Sequence, residues 1–419
     1  MDWKTLSFCS LTLDYLVIVY LNFRQLFTYK KFIKTNKENK DLAEELLLSS
    51  LRYRQTVFKI VATIYSVITY FIFLHFIYPK LWNLSIEITS TDSLLKNEII
   101  GTMLFFALKA LLNVVLNFPV SFFSTFYLGD DELNLKAFRV FVQDKALAYI
   151  FSIFLYFPLL TCSILIIRSF YTQHSWIYCT VLDFIYQFFI EFIYSPMVKP
   201  MFVQMINLPD GDLKNDIIQV CKKTGYNTNS VLISLDTAAQ NSTQHLNIYC
   251  SPYFKKQVII HESSFKKYSK EDVVSALAHE IYHCKQHDQL KNLVIQTLNN
   301  GLFFFLLNHF IQSPTSFSDF GFEYDSLYIG YLVFSFIYGP IHQLLFNIFS
   351  TILVRNQEFS ADLYSQTQLG YNNLETLKKI LKIENGDKLV DYYYSLVFNN
   401  YPSVIERIKN LELLLKKSK

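Results

Sequence analysis

Residues 275–289 are Ser-Ala-Leu-Ala-His279-Glu280-Ile281-Tyr282-His283-Cys-Lys-Gln-His-Asp-Gln, and this segment is the most informative feature of the chain. It contains no proline or glycine that would interrupt a helix. On a helix, His279 and His283 point the same way and can share one metal ion. Glu280 then lies beside a water molecule that the metal activates, and can take its proton. Because so short a pattern also occurs by chance, this interpretation requires a third ligand elsewhere.

The segment Arg355-Asn-Gln-Glu358-Phe-Ser-Ala-Asp362, which follows a long apolar run, offers the best third ligand. Catalytic zinc usually has three protein ligands and one open position. Glu358 and Asp362 are four residues apart and share a helix face. Glu358 is therefore predicted to bind zinc, while Asp362 accepts a proton from a ligating imidazole. The alternative is a solvated helix face on which Arg355 pairs with a nearby acid, but the two histidines favour the zinc interpretation.

At these residues the chain resembles the type I CAAX prenyl proteases, integral-membrane zinc endopeptidases of the endoplasmic reticulum. The two shared patterns are His-Glu-Ile-x-His and Arg-x-x-Glu-Phe/Tyr-x-Ala-Asp. Other family landmarks follow in the family order: Arg24-Gln25, Lys199-Pro200, Leu208-Pro209-Asp210-Gly211-Asp212-Leu213, His245-Leu246-Asn247-Ile248-Tyr249 and Ile405-Glu406-Arg407. The resemblance therefore extends over nearly the whole chain.

The resemblance implies a function and further site residues. The family removes the last three residues from C-terminally prenylated proteins, so we expect one zinc ion per chain and prenylated proteins as partners. Asn247 matches a family asparagine that binds the substrate backbone, although a turn residue is the alternative. Arg407, in the Glu-Arg segment, is the second predicted substrate-binding residue. The resemblance also implies a barrel of seven helices around a water-filled chamber.

Composition places the chain in a membrane. Of its 419 residues 52% are hydrophobic and 17% are charged, against about 25% charged in soluble proteins. The net charge of +3 and the lack of a basic stripe argue against nucleic-acid binding. The six cysteines have no CxxC spacing, which fits a reducing cytosol. Cys284, considered as a ligand, points about 100° away from His283 around a helix, so packing is its predicted role.

Seven apolar runs approach the ~20 residues that span a bilayer, at roughly 5–23, 57–78, 98–118, 146–169, 174–196, 291–312 and 326–350. Four polar residues interrupt them and are expected to face water or the bundle interior: Asp14, Lys109, Asp183 and Glu191. The predicted fold class is an all-α membrane protein with seven transmembrane helices enclosing a chamber. A cytosolic zinc-peptidase α+β domain with a small sheet completes it.

The distribution of Lys and Arg predicts the orientation. Connections 24–56 and 197–290 are rich in these residues, whereas 170–173 and 313–325 contain none. The positive-inside rule therefore puts the active site and the C-terminus in the cytosol. The final residues Lys416-Lys417-Ser418-Lys419 look like a cytosolic dilysine signal for the endoplasmic reticulum, although a fraying basic helix end is equally compatible.

We predict four segments. Residues 1–196 hold transmembrane helices 1–5, 197–290 form the catalytic insertion, 291–350 hold helices 6 and 7, and 351–419 form the third-ligand helix and a tail. In the insertion we expect a helix from Asp212 to Lys223 capped by Gly225. Short strands are expected at 231–235, 246–249 and 257–261, with an edge that can bind substrate. Amphipathic helices are expected at about 373–384 and 403–416.

Three positions depart from the family pattern. Tyr282 replaces the usual glycine and Cys284 the usual tryptophan, without touching a predicted ligand. Tyr401-Pro402 stands where the family has His-Pro, whose histidine stabilises the oxyanion. A tyrosine hydroxyl can donate the same hydrogen bond, so Tyr401 is predicted to be catalytic with Glu280. His287 is a possible additional ligand, with surface placement the better prediction.

The interpretation that follows is a multi-pass zinc endopeptidase, active as a monomer in the bilayer of the endoplasmic reticulum. Three alternatives stay open: a quality-control protease of broader substrate range, a non-catalytic membrane scaffold derived from such a protease, and a transporter. The last would explain the polar residues in the spans but not the zinc ligands.

Overall fold

The computed structural model of the chain describes residues 3–37, 42–89, 94–128, 135–169, 174–194, 205–226, 228, 230–235, 248–250, 256–313, 317–323, 326–383 and 389–417. Asn247, the pair Lys199-Pro200 and the last two residues lie outside them. The chain forms two compact units, one of Met1–Leu182 with Asn300–Leu345 and one of Asp183–Asn299 with Phe346–Lys419. The four-segment division stays a prediction.

Long helices make up most of the first unit. In chain order they are α1 (Trp3–Asn36), α2 (Ala43–Ile72), α3 (Tyr78–Ile88), α4 (Leu94–Phe126), α5 (Leu135–Ser169) and α6 (Ser175–Phe188). A π-helical turn, Phe73–Ile77, joins α2 to α3. The core of this unit is rich in aromatic rings, such as Trp82 and Phe105, whose centroids are 5.7 Å apart in an edge-on contact.

Within the described residues, five helical stretches are long and apolar enough to cross a membrane: Trp3–Asn36, Glu45–Ile88, Asn97–Phe126, Ala137–Ile166 and Ser175–Ile193. A sixth is counted if α11 (Leu327–Ile337) and α12 (Gly339–Leu363, continued to Gln368 by a π-helical turn) form one span, bent by 64°. The bend lies at Gly339-Pro340, where proline has no N–H to donate and its ring disfavours a continuous helix.

The apolar run predicted at 291–312 forms α10 (Asp288–Ile311), which does not belong to these five or six stretches. Three polar amides near its middle, Gln296, Asn299 and Asn300, lower its hydropathy. In the part of the chain that the structure describes, the fold is thus mostly helical, with five or six candidate spans and a small sheet.

The second unit contains a four-stranded sheet in the order β1-β2-β4-β3. Its strands are β1 (Met205–Asn207), β2 (Ser230–Ser234), β3 (Ile248–Cys250) and β4 (Gln257–His261), with only β2 and β4 parallel. Helix α7 (Asp212–Thr224) lies between β1 and β2 and ends at Gly225, which has the left-handed φ of 71° expected of a cap. Strands β2, β3 and β4 and helix α7 match the predicted positions to within two residues, whereas β1 was not predicted.

The remaining helices of this unit are α8 (Glu262–Lys267), α9 (Lys270–Gln286), α13 (Asn373–Ile383), α14 (Tyr392–Phe398) and α15 (Val404–Lys417). The sequence predicted neither α8 nor α14. The stretch 275–289, which lacks proline and glycine, is helical only as far as Gln286 before α10 begins at Asp288. His287 there has a φ of 54°, and its side chain is exposed, as expected.

Candidate metal centre

Helix α9 holds the two histidines in a fixed place in the second unit. Its first turn is closed by a capping box, in which Ser269 and Asp272 hydrogen-bond each other's backbone N–H. Its apolar side chains, such as Leu277 and Ile281, are fully buried in the same core as the sheet. Since these residues fix how far the helix is rotated, His279 and His283 project from a set position.

Three side chains converge as candidate metal ligands. The Nε2 atoms of His279 and His283 are 3.1 Å apart, and the Glu358 carboxylate lies 3.3 Å from the first and 3.4 Å from the second. Among the described residues, this is the group of His, Cys, Asp and Glu that could hold a metal ion. The corners of a tetrahedron with bonds of about 2.0 Å are about 3.3 Å apart, so the donors fit the spacing and chemistry of zinc.

Each histidine also has a carboxylate on its other ring nitrogen. Asp362 Oδ1 lies 3.0 Å from Nδ1 of His279, and Asp288 Oδ2 lies 2.9 Å from Nδ1 of His283. A carboxylate only accepts, so each pair requires a proton on Nδ1 and leaves Nε2 with a lone pair for a metal. Burial lowers the pKa of His283, but the carboxylates of Asp288 and Glu358 raise it above its ordinary value. A metal ion that binds Nε2 would therefore displace a proton.

Arg407 lies beside the ligands. Its Nε and Nη2 donate to the two oxygens of Asp362 at 2.8 and 2.5 Å, and Nη1 lies 3.3 Å from Oε2 of Glu358. Such a two-pronged contact fixes the plane of a carboxylate. Arg407 therefore orients Asp362, and through it the ring of His279.

Asn373 is a site residue that sequence reasoning missed. Its amide donates to Asp362 Oδ1 at 2.9 Å, and its amide oxygen accepts from Ser275 of α9 at 3.2 Å. It thus ties the Glu358 helix to the histidine helix. No signal in the sequence pointed to it, because an asparagine at the start of a helix is usually a cap.

The two predicted catalytic residues also lie near the ligands. Burial raises the pKa of the half-buried Glu280 above its ordinary value, and the imidazoles of His279 and His283 partly offset this effect. Burial and then the negative charges of Glu358 and Glu280 raise the pKa of Tyr401. Tyr401 nevertheless keeps 64% of its surface exposed, so a ligand can reach it.

The structure bears differently on Asn247 and Cys284. Asn247 is outside the described residues, so its substrate-binding role stays a prediction. The thiol of Cys284 is directed at the sheet, with Sγ 3.2 Å from the carbonyl oxygen of Cys250 in β3. This contact supports the packing role expected of Cys284.

Comparison with protein families gives two matches. Residues 42–204 match the family described as CAAX prenyl protease N-terminal, five membrane helices. Residues 208–414 match Peptidase family M48, and this range contains both metal-ligand segments.

Known relatives match this chain over nearly its whole length. CAAX prenyl protease 1 homolog of Dictyostelium discoideum is 27% identical over 98% of this chain and 97% of its own. CAAX prenyl protease 1 of Saccharomyces cerevisiae is 22% identical over 96% and 95%. The crystal structure of S. mikatae Ste24p shares the fold, with a TM-score of 0.83 and 22% identity over 98% of this chain and 99% of that one. The predicted resemblance is confirmed: this chain belongs to the CAAX prenyl protease branch of the membrane metallopeptidases of family M48.

Proposed function

We propose that this protein is a zinc metalloendopeptidase that removes the last three residues of C-terminally prenylated proteins. The observation that supports this most directly is the convergence of His279, His283 and Glu358 around one point beside Glu280. The relatives of similar length are named CAAX prenyl proteases, which supports the substrate class. One zinc ion per chain is the proposed cofactor.

Each residue of the site has a separate role in the proposed reaction. Zinc, when bound, polarises the scissile carbonyl and lowers the pKa of a water molecule toward neutrality. Glu280 accepts the proton of that water and returns it to the leaving amine. The raised pKa of Glu280 suits this double role, because an acid that ionises nearer neutrality both accepts and releases a proton. Tyr401 donates a hydrogen bond to the oxyanion of the tetrahedral intermediate.

Two residues are proposed to hold the substrate backbone. Arg407 binds Asp362 with Nε and Nη2, whereas among the described residues Nη1 makes a longer contact, 3.3 Å, with Glu358. We propose that Nη1 is the group that binds a substrate carbonyl. Asn247 immediately precedes the edge strand β3 in sequence, which supports its proposed contact with an extended peptide.

The proposed setting is the membrane of the endoplasmic reticulum, with the protein acting as a monomer. Helix α10 would be the seventh span, its amides facing the interior rather than lipid. The active site and the C-terminus would face the cytosol, which the surplus of Lys and Arg in 24–56 and 197–290 supports.

Metal content and peptide cleavage together test this function. Glu280→Gln keeps the shape of the side chain but removes the base. It should retain one zinc per chain and lose at least about 10²-fold in turnover of a farnesylated CAAX peptide. Glu358→Ala should lose both zinc and activity. Zinc is measured by elemental mass spectrometry of the purified protein, and cleavage by release of the tripeptide.

An unprenylated peptide of the same sequence is the matched control. Cleavage of both peptides at equal rates would favour the quality-control alternative. A zinc-loaded wild-type protein that cleaves neither peptide would favour the non-catalytic scaffold. Full zinc occupancy in Glu358→Ala would show that the third ligand is another residue.

A further inference from the structure

The junction between α9 and α10 has unusual backbone geometry. His287 is the one non-glycine residue with a positive φ in the part of the chain that the structure describes, at φ 54° and ψ 37°. A residue with a β-carbon is less stable in this conformation by about 1–2 kcal/mol. Such strain persists only when the surrounding structure gains from it. The side chain of His287 is exposed, and the main effect of the turn is on the position of the next residue.

The turn at His287 brings Asp288 back to His283. On a continuous helix, a residue five positions later lies about 140° around the axis and one turn further on. With the helix ended at Gln286, Asp288 starts α10 instead and is only 4% exposed. Its Oδ2 lies 2.9 Å from Nδ1 of His283, and its Oδ1 accepts from Lys291 Nζ at 3.1 Å.

We infer that Asp288 is a positioning residue for the metal centre, placed by the left-handed turn at His287 so that Nε2 of His283 faces the metal. Asp288 contacts Nδ1 of His283, as Asp362 contacts Nδ1 of His279. Lys291 donates to Asp288, as Arg407 donates to Asp362. A carboxylate on Nδ1 selects one tautomer and fixes the orientation of the ring. Each metal-ligating histidine of this chain then has a buried carboxylate partner of its own.

The inference rests on the proposed zinc site, because it concerns how tightly that site holds its ion. It is tested by competing a chromophoric zinc chelator against the purified protein. Asp288→Asn preserves the size of the side chain but removes the charge and lets an amide N–H face the ring. Loss of such a partner typically weakens metal binding by about 10- to 100-fold.

A matched control separates the carboxylate from its surroundings. Lys291→Met leaves the carboxylate of Asp288 in place, and the lysine is 52% exposed, so zinc affinity should stay within about fivefold of wild type. The visible spectrum of the cobalt-substituted protein gives a second readout, because it reports the ligand geometry. It should shift in Asp288→Asn and not in Lys291→Met. A merely structural role for Asp288 would leave this spectrum unchanged.

His287→Gly is a second variant, into which Asp288→Asn is introduced if Asp288→Asn alone is unstable. Glycine adopts a positive φ without strain, so this variant should keep wild-type zinc affinity and unfold at an equal or higher temperature. Zinc affinity of Asp288→Asn within about twofold of wild type, in either background, would overturn the inference. A wild-type protein that binds no zinc would instead contradict the proposed function.

Discussion

Tyr401 is the residue on which the chemistry of this chain differs most from its family pattern. Its pKa is raised by burial and by the charges of Glu358 and Glu280, so it stays protonated and able to donate at neutral pH. The structure thus supports a donor near the ligands, although an exposed tyrosine can also serve only to pack against substrate.

Tyr401→Phe distinguishes these roles. If the hydroxyl stabilises the oxyanion, its loss should lower kcat by about 10²- to 10³-fold. KM should change far less, because the ground-state carbonyl engages the donor weakly. Steady-state kinetics with a farnesylated peptide provides both constants. Turnover at the wild-type rate would mean that the donor is another group, whereas recovery of activity in Tyr401→His would identify the position as the donor site.

At the scale of secondary-structure elements, Arg355 connects three helices behind the metal centre. It lies on α12, is 6% exposed, and donates to Glu406 of α15 at 2.8 Å and to Ser395 of α14 at 2.6 Å. Glu406 also caps the start of α15 by accepting from the backbone N–H of Ser403 at 2.8 Å. The helix that bears Glu358 is thereby fixed to the helix that bears Arg407. Arg355 therefore pairs with an acid, Glu406, but in a buried position and not on the solvated helix face that the alternative interpretation described.

Arg355→Met should destabilise the second unit strongly. Removing one partner of a buried ion pair leaves the other uncompensated, at a cost of about 3–5 kcal/mol. Thermal unfolding in detergent, followed by circular dichroism, measures the effect. Lys378→Met is the matched control, because Lys378 pairs with Glu375 and Glu412 on the exposed surface. An equal shift in the two variants would contradict the structural role of Arg355.

At the scale of the whole molecule, the open question is which side of the membrane each connection occupies. Among the described residues, five or six stretches qualify as spans, and with six the two chain ends would lie on the same side. With seven, the two ends would lie on opposite sides, and the proposed orientation would place the N-terminus in the lumen and the C-terminus in the cytosol. The count depends on α10, whose amides make it less apolar than the others.

Glycosylation mapping decides between these topologies. An acceptor Asn-x-Ser introduced within 313–325 should be modified in the lumen, whereas one introduced within 30–50 should not be. Asn83 and Asn241 already open Asn-x-Ser/Thr sequences, so both are first replaced by glutamine. A gel shift that endoglycosidase reverses measures modification. The opposite pattern would place the active site in the lumen and refute the proposed orientation.

The sequence by itself determined the features that depend on local pattern. His279 and His283 are four residues apart, as are Glu358 and Asp362, and residues at this spacing share one face of a helix. Periodic apolar residues likewise located α7 and the strands β2, β3 and β4, because burial selects for hydrophobic side chains at fixed intervals. Five of the spans were located by the length of their apolar runs. The need of catalytic zinc for a third ligand paired Glu358 with the two histidines, and the family resemblance then supported that pairing.

Only the tertiary structure decided the features that depend on distant contacts or on rare backbone conformations. Asn373 and the Arg355–Glu406 pair join residues far apart in sequence, and no periodicity records such contacts. The end of α9 depends on a left-handed conformation at His287, which residue preference disfavours and tertiary contacts stabilise. The partner of His283 was missed for that reason, because a continuous helix would have turned Asp288 away.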